Sequence, residues 1–532
     1  MKYLSSLFVA FILLLTNSLP AQVSDRRSPL SDDEKQVELA KLITKDGLHR
    51  HLSILASDEY QGRETGEEGQ KMAAKYIAGV FESYGLPVIN KEGSYYQHFS
   101  YIAENWKVID LKVNGRAFTH LQDYYAFPSK NSNKEISAKE ILFLGYGIDD
   151  TSYSDYKGVD TKGKVLLVFA GEPFKNGQSL ISKSSTPSEW TTDVNKKLRA
   201  AKAHGVEAIL IVSDDFKTSM RVARKTINSR VRKMGWSENA ADNYANSCFV
   251  SPKMAKEIFG KGFKKVLKLK KKIDKKGKPR HLTAKAAFSL RQEKKVRALL
   301  GENVVGIIEG IDPKLKDEYV FVTAHYDHLG VKFGKIFNGA DDNGSGSSSL
   351  LMIAKAFAEA KKKGWGPRRT VVIMLVSGEE KGLLGSKYYV EHPLIPLEKT
   401  VVDINVDMVG RLDKRHEGNP NYVYVIGSNR LSTELHEIGE EANKKFTKLE
   451  LDYKYNAEDD PNRYYYRSDH YNFAEKGIPS VFYFNGTHAD YHKSTDTVEK
   501  IDFEAMANRA KLVFHTAWEI ANRDKRIEVD VK

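Results

Sequence analysis

Cysteine is almost absent from this chain. Its 532 residues include a single cysteine, Cys248, so an intramolecular disulfide bond is excluded. An exported chain without disulfides must rely on its hydrophobic core or on bound metal, which suits a bacterial envelope better than eukaryotic secretion. Long apolar runs are also missing beyond the N-terminus, because no later segment approaches the ~20 apolar residues that a membrane-spanning helix needs.

The N-terminus departs from this composition. Met1 and Lys2 precede an apolar run over 4–15, and small and polar residues follow over 16–22. A basic start, a short apolar core and a small-residue exit predict a secretory signal peptide over residues 1–22. The alternative is a retained anchor, for which the run is short. We therefore expect a secreted or periplasmic protein of the bacterial envelope, without stable membrane insertion after cleavage.

The charge balance is basic, with 83 Lys and Arg against 70 Asp and Glu and a net charge of +13. Much of the excess lies in residues 261–280. A basic stretch can bind nucleic acid, anionic lipid or polysaccharide. Apart from Phe263, however, this stretch lacks the aromatic residues that stack on the bases of single strands. The pattern favours a solvated surface helix and turn, and we expect no nucleic-acid partner.

Acidic and histidine residues follow a series of short apolar runs in the second half of the chain. Three of these runs, over 319–324, 370–377 and 400–406, read as buried strands. Residues that follow successive parallel strands meet at one edge of the sheet, where α/β proteins bind ligands. Grouped carboxylates repel one another, and a divalent metal is the simplest way to hold them together. The series is His325, Asp327, Asp342, Glu379, Glu380, Asp407 and His492.

Strand and helix alternate regularly from about residue 303 onward. This alternation predicts an α/β fold, in which a mostly parallel mixed sheet is sandwiched by helices. Short buried strands and a helix before residue 285 predict a β-rich unit inserted into that domain. The C-terminal tail is expected to fray. The predicted organisation is a signal peptide at 1–22, a domain split into 23–117 and 286–523, an insertion at 118–285 and a tail at 524–532.

The residue types point to zinc chemistry. Histidine nitrogens and carboxylate oxygens suit Zn²⁺. A hydrolytic site with two ions about 3.5–4 Å apart needs a bridging ligand. Asp342 is well placed to bridge, because flanking glycines let its backbone approach closely. Two adjacent glutamates do not usually both bind one ion, so either Glu379 or Glu380 is free to act as a base on a water acidified by metal.

These motifs resemble metallopeptidase family 28, the di-zinc aminopeptidases and their carboxypeptidase relatives. The resemblance covers about 53–115 and 303–520, and the motifs together are highly specific although each alone is weak. They are H-x-D at 325–327, G-A-D-D-N-G-S-G at 339–346, G-E-E at 378–380, D-M-V-G at 407–410, Y-H-x-x-x-D at 491–496 and G-R-E-T-G at 62–66, which is similar to the family's N-terminal G-R-x-T-G. The insertion resembles a protease-associated domain through residues 145–148, 156–160 and 162–165.

The resemblance implies two zinc ions and a role for each residue. One ion would be held by His325 and Asp407, and the other by Glu380 and His492. Asp342 would bridge them, with a cis peptide to Asn343. Glu379 would be the general base and then the general acid, acting on a water between the ions. Three further roles are implied: Asp327 would orient His325, Tyr491 would donate to the oxyanion, and Asp496 would orient the His492 loop.

The implied activity is that of an aminopeptidase, an exopeptidase that removes N-terminal residues from peptides or proteins. A carboxypeptidase or dipeptidase with the same site is the nearest alternative, with Arg411, Arg463 or Arg467 as the clamp for a substrate carboxylate. Two more distant alternatives are a one-zinc glutaminyl cyclase and a binding protein with a vestigial site. Competing metal ligands are His328, His470 and His488. The pattern carries no information on the preferred terminal residue or the oligomeric state.

Overall fold

The computed structural model describes residues 30–89, 93–228, 233–234 and 243–531. The predicted signal peptide lies outside these residues. Within the described ranges, the helices are all too short or too polar to cross a membrane.

Strands and helices alternate along most of the described chain. The strands are β1 (Tyr96–Val113), β2 (Arg116–Phe118), β3 (Tyr124–Tyr125), β4 (Lys134–Leu144), β5 (Val165–Phe169), β6 (Phe174–Lys175), β7 (Gln178–Ser179), β8 (Ala208–Val212), β9 (Lys233–Met234), β10 (Asn246–Val250), β11 (His281–Ile308), β12 (Tyr319–His325), β13 (Gly330–Lys332), β14 (Lys335–Phe337), β15 (Thr370–Val376), β16 (Thr400–Val406), β17 (Tyr422–Ile426), β18 (Glu450–Asp452) and β19 (Ser480–Phe484). The helices are α1 (Asp32–Ala40), α2 (Lys45–Leu55), α3 (Glu68–Tyr84), α4 (Glu189–Thr192), α5 (Val194–Ala203), α6 (Phe216–Asn228), α7 (Pro252–Phe259), α8 (Phe263–Lys276), α9 (Gly346–Lys362), α10 (Leu384–Glu391), α11 (Thr433–Ala442), α12 (His470–Ala474) and α13 (Phe503–Asn522).

The central sheet is mixed, and the strands that carry the predicted site are parallel. Its order on this side is β18-β17-β19-β16-β12-β15-β11. β12 pairs in parallel with both β15 and β16, and β16 pairs in parallel with β19. β11 and β17 run antiparallel to their neighbours β15 and β19. The predicted α/β architecture with a mostly parallel mixed sheet is confirmed.

The sheet is covered on both faces, which explains why its central strands are apolar without alternation. Every residue of β15 and β16 is buried. One face packs against α1, α2, α3, α9 and α13, and side chains such as Phe357 and Trp518 form that core. The other face packs against α10 and α12, around residues such as Tyr389 and Phe473. Parallel strands buried on both faces read as continuous hydrophobic runs.

Local sequence sets the helix ends. Ser31 and Glu34 form a capping box at the start of α1. The Asp502 side chain accepts hydrogen bonds from the amides of Glu504 and Ala505 at the start of α13. α3 ends at Gly85, whose φ of 76° is the left-handed conformation that glycine adopts at little cost.

Two long strands connect the peptidase-like part with the insertion. β1 and β11 pair in antiparallel register from Tyr96 opposite Val304 to Val113 opposite Phe288. Beyond β11 the same sheet continues through β4, β5, β8, β10 and β3, and separate hydrophobic clusters cover this part. The predicted boundary at 285/286 falls inside β11, which runs on without a break. The boundaries and the protease-associated character of 118–285 stay predictions.

The basic stretch and the tail can be compared with their predictions. Residues 263–276 form α8, which buries Val266 and Ile273 and exposes most of its lysines, as expected for a solvated surface helix. The expectation of a frayed tail was wrong. Ile527 is buried in the main core, and Arg526 donates hydrogen bonds to the carbonyl oxygens of Glu398 and Thr400. An apolar side chain and a paired guanidinium dock the tail.

Cys248 lies on β10 in the core of the insertion and is fully buried. Burial raises the pKa of its thiol, because a thiolate is poorly solvated there. We expect native protein to resist an aromatic disulfide reagent that labels free glutathione within minutes, and denatured protein to react with one thiol per chain. Rapid stoichiometric labelling of the native protein would contradict this packing.

Candidate metal centre and active site

The ends of three neighbouring parallel strands deliver the polar side chains. β12 ends at His325, and Asp407 directly follows β16. After β15 the chain turns at Gly378, whose φ of 86° requires a left-handed conformation, and then presents Glu379 and Glu380. Because parallel strands place their carboxyl ends at one edge, residues 82 positions apart lie within contact distance.

Asp342 enters the same edge from the turn between Ala340 and Ser345. The predicted cis peptide bond between Asp342 and Asn343 is present. The glycines of this turn are required by close packing. A Cβ on Gly339 would lie 2.4 Å from the ring of His328, and one on Gly346 would lie 2.4 Å from the carbonyl oxygen of Val406. Glycine lets the turn sit directly against the strand ends.

The two carboxylate oxygens of Asp342 face different partners. Oδ1 lies 3.5 Å from Nε2 of His325, which in turn lies 3.3 Å from Oδ1 of Asp407. Oδ2 lies 3.1 Å from Nε2 of His492, and that nitrogen lies 3.2 Å from Oε2 of Glu380. The predicted ligands are all brought together, and Asp342 lies between the two groups, as a bridging ligand must.

His328 joins the second group, although the sequence predicts it only as a competing metal ligand. Its Nδ1 lies 2.8 Å from Oε1 of Glu380 and 3.8 Å from Oδ2 of Asp342. The side chain is completely buried. Within the described chain, the groups able to hold a metal ion are His325, Asp342 and Asp407, and His328, Asp342 and Glu380, each with ligand atoms within 4.8 Å of one another. The H-x-D-H spacing was the available signal.

The electrostatics of this cluster fit divalent cations. Oδ2 of Asp342, Oε1 of Glu380 and both ring nitrogens of His328 are buried and have no aligned hydrogen-bond partner in the part of the chain that is described. Burial, together with the charge of Asp342, raises the pKa of Asp407. Burial opposes ionisation of Glu380 too, but the adjacent His328 and His492 hold its pKa well below the usual range. Such a donor set suits Zn²⁺.

Glu379 belongs to neither ligand group. Its side chain is 12% exposed, and Oε2 lies 3.9 Å from Nε2 of His325. Burial raises the pKa of Glu379 well above its ordinary value, and the charges of Glu380 and Asp407 act in the same direction. A carboxyl group with a raised pKa beside a metal site is suited to exchange protons near neutral pH.

The outer contacts differ in part from expectation. Nδ1 of His325 lies 3.1 Å from the backbone oxygen of Asp327 and 3.7 Å from its carboxylate. That carboxylate instead accepts the backbone amide of Glu379 at 3.2 Å. Asp496 accepts the amides of Asp341 and Asp342, so it holds the Asp342 turn rather than only its own loop. Main-chain contacts of this kind leave no trace in a sequence motif.

Ser468 is a second residue that the sequence did not reveal. Its hydroxyl donates to Oδ2 of Asp407 at 2.8 Å, and Asn405 donates to the serine oxygen at 2.8 Å. The remaining competitors have other partners. His488 lies 3.1 Å from Asp341, and His470 is buried against Phe482. Neither belongs to the groups that could hold a metal.

A pocket opens beside the cluster. Tyr491 and His492 form one edge, with their rings stacked 3.9 Å apart. Arg467 also lines it, and its guanidinium donates to the hydroxyl of Tyr491 at 3.3 Å. The apolar wall consists of Met408, Tyr464, Phe482 and Phe484. The site therefore places polar groups on one side and an apolar cavity on the other.

Comparison with known sequences assigns the segment that carries this cluster. Residues 303–517 match the profile of peptidase family M28. This segment belongs to family M28. It contains all the proposed metal ligands together with Glu379 and Tyr491.

Relatives of the M28 segment include both kinds of exopeptidase. A probable leucine aminopeptidase of Trichophyton verrucosum is 32% identical over 221 residues, which is 40% of this chain and 57% of the relative. A probable glutamate carboxypeptidase of Arthroderma benhamiae is 39% identical over 107 residues, 20% of this chain and 14% of the relative. The matched part of this chain thus spans about half the length of the first relative and a small part of the second.

A solved structure shares the fold over nearly the whole chain. The aminopeptidase from Aneurinibacillus sp. strain AM-1 superposes with a TM-score of 0.55 at 18% identity, covering 93% of this chain and 98% of that one. The common architecture therefore extends over the insertion as well as over the M28 segment.

Replacing His328 tests its part in the M28 metal centre. His328→Gln removes the ring beside Glu380, and loss of such a partner typically costs about 10–100-fold in metal affinity. We expect the zinc dissociation constant, measured by chelator competition, to rise by that factor. His515→Gln is the matched control, because His515 is also buried but lies on α13 with Gln36 as its partner. Equal affinities in both variants would remove His328 from the site.

Proposed function

We propose that this protein is a zinc-dependent exopeptidase that removes the N-terminal residue of peptides, and that it holds two zinc ions. The observation that carries the proposal is the position of Asp342 between two donor groups, with Glu379 outside both. A one-zinc cyclase needs one ligand group, and a vestigial binding protein has no need of the free carboxylate of Glu379.

Zinc ions held there would polarise the scissile carbonyl group and acidify a water molecule. His325 and Asp407 would hold one ion, and Glu380 and His492 the other. Glu379 then takes a proton from the attacking water and delivers it to the leaving amine. Its raised pKa supports both roles, since the same carboxyl group must accept the proton and release it in one cycle.

Tyr491 stands where it can stabilise charge. Tyr491 lines the pocket, and burial together with the charges of Asp342 and Glu380 raises the pKa of its hydroxyl, so the hydroxyl keeps the proton that it would donate. A donor aimed at the developing oxyanion stabilises the tetrahedral intermediate, because charge appears there only in the transition state. We assign this donation to Tyr491.

The apolar wall of Met408, Phe482 and Phe484 supports a preference for apolar terminal side chains. We also propose an envelope or secreted location, on the strength of the predicted signal peptide, which cell fractionation tests. The second candidate, a carboxypeptidase, is supported by Arg467. Of the three arginines considered, Arg467 alone lines the pocket; Arg411 pairs with Asp490 and Arg463 stacks on Tyr466.

The two candidates differ in which peptide end must be free. We expect purified protein to release the N-terminal residue from aminoacyl chromogenic substrates and from short peptides, and a zinc chelator to abolish the release. N-acetylation should stop hydrolysis, whereas C-terminal amidation should not. Hydrolysis that survives acetylation but not amidation would establish the carboxypeptidase instead, and the absence of any chelator-sensitive release would overturn both.

Replacing the base separates catalysis from metal binding. Glu379→Gln keeps the shape of the side chain but cannot accept a proton, so kcat should fall by about 10²–10⁴-fold. The zinc content, measured by atomic absorption, should be unchanged because Glu379 lies outside both ligand groups. Glu391→Gln, at the exposed end of α10, is the control and should leave kcat unaltered. Wild-type turnover in Glu379→Gln would refute the assignment.

A further inference from the structure

Three consecutive residues near the N-terminus contact three separate loops of the metal centre. Arg63, Glu64 and Thr65 are 1%, 4% and 1% exposed. They lie more than 230 positions before the M28 segment, whose match begins at residue 303. Buried polar side chains are retained only with partners that satisfy them. Their partners here lie almost entirely in loops that carry proposed metal ligands or Glu379.

Arg63 joins two of these loops through backbone oxygens. Its Nε donates to the carbonyl oxygen of Tyr326 at 2.7 Å, next to His325. Its Nη1 and Nη2 donate to the carbonyl oxygens of Asn338 and Gly339 at 2.7 and 2.9 Å, at the entry to the Asp342 turn. The backbone oxygen of Arg63 accepts the amide of His328. One guanidinium thus sets the distance between the His325 loop and the Asp342 turn.

Glu64 and Thr65 hold the Glu379 loop from two sides. The ammonium group of Lys381 donates to Oε1 of Glu64 at 2.9 Å. The two side chains form a buried ion pair, with Glu64 5% and Lys381 8% exposed. The hydroxyl of Thr65 donates to Oδ2 of Asp327 at 2.8 Å, and the other oxygen of Asp327 accepts the amide of Glu379. Ser377, two residues before Glu379, donates to the Thr65 oxygen at 3.1 Å.

The backbone here is shaped for this contact. Gln61, Gly62 and Arg63 have φ values of 48°, 66° and 49°, three successive left-handed conformations. A Cβ on Gly62 would lie 2.2 Å from the carbonyl oxygen of Phe337. Non-glycine residues adopt positive φ at a cost, and such strain concentrates at functional sites. The turn brings Arg63, Glu64 and Thr65 close against the loops that they bind.

We propose that residues 63–65 form a positioning clamp, which fixes the base Glu379 relative to the metal ligands by bonding to the loops of His325, Asp342 and Glu379. The clamp rests on the proposed function for its catalytic consequence, but its effect on metal binding does not. Thr65 acts through Asp327, and Glu64 acts through Lys381. None of the three touches the pocket that receives the substrate.

Thr65→Val tests the clamp, because valine keeps the shape and burial of threonine but cannot donate to Asp327. We expect the zinc dissociation constant to rise about 10-fold, and kcat to fall by a similar factor with KM nearly unchanged, as for other outer-shell partners of metal ligands. Thr65→Ser restores the hydroxyl and should recover both values. Rescue by serine distinguishes hydrogen bonding from packing.

Thr516→Val is the matched control. Thr516 is fully buried on α13, where its hydroxyl donates to the backbone oxygen of Leu512 and lies 3.1 Å from the hydroxyl of Tyr483, and neither partner is a proposed metal ligand or a contact of residues 63–65. The Thr516→Val variant should lose thermal stability without a change in zinc affinity or kcat. If Thr65→Val behaves in the same way, with lower stability alone, the clamp is overturned and Thr65 is merely structural.

A double-mutant cycle tests the contribution of the ion pair between Glu64 and Lys381 to the clamp. Glu64→Gln and Lys381→Met each remove one charge of the buried pair, and the double variant removes both. We expect each single variant to weaken zinc binding and the double variant to be less impaired than the sum of the two. Strictly additive effects on zinc affinity would exclude this ion pair from the clamp. If the wild-type protein has no peptidase activity, the zinc affinities still decide the clamp, while the proposed function alone fails.

Discussion

The repulsion among buried carboxylates is the constraint on which the rest of this structure depends. Asp342, Glu380 and Asp407 converge at one sheet edge, and their side chains are 4%, 5% and 11% exposed. Their negative charges repel one another, and cations or neighbouring histidines offset that repulsion. Several neighbouring features offset this repulsion or fix the groups in place. Histidines lie between the carboxylates, buried oxygens face the centre of the cluster, and backbone amides donate to Asp496, which holds the acidic turn. The arrangement is suited to bind cations.

The sheet determines how these side chains come together. Parallel strands carry His325, Glu379 and Asp407 to one edge, and helices pack on both faces of the sheet. The two adjacent glutamates leave this edge in different directions. Glu380 faces His328 and His492, whereas Glu379 faces the pocket. A one-residue step in the turn after β15 therefore separates the proposed ligand Glu380 from the proposed base Glu379.

Much of this organisation was predictable because it depends on short-range patterns. Apolar runs predicted β12, β15 and β16, the pattern of small and acidic residues predicted the Asp342 turn, and the motif order predicted the ligand set. The missed features share a different physical character. His328, Ser468 and the docked tail at Ile527 depend on contacts between distant segments, made through backbone atoms or single side chains. Apart from the H-x-D-H spacing at His328, no periodicity or spacing in the sequence indicates such contacts.

The sequence by itself determined which residue types were present and at which strand ends, because hydrophobic periodicity and turn chemistry are local properties. It thereby determined the α/β architecture and the series of proposed metal ligands. Only the tertiary structure decided how those residues are oriented: that the oxygens of Asp342 point to opposite groups, that His328 lies against Glu380, and that Arg63, Glu64 and Thr65 reach loops more than 230 positions away. Orientation depends on packing between segments, and packing is a property of the folded chain.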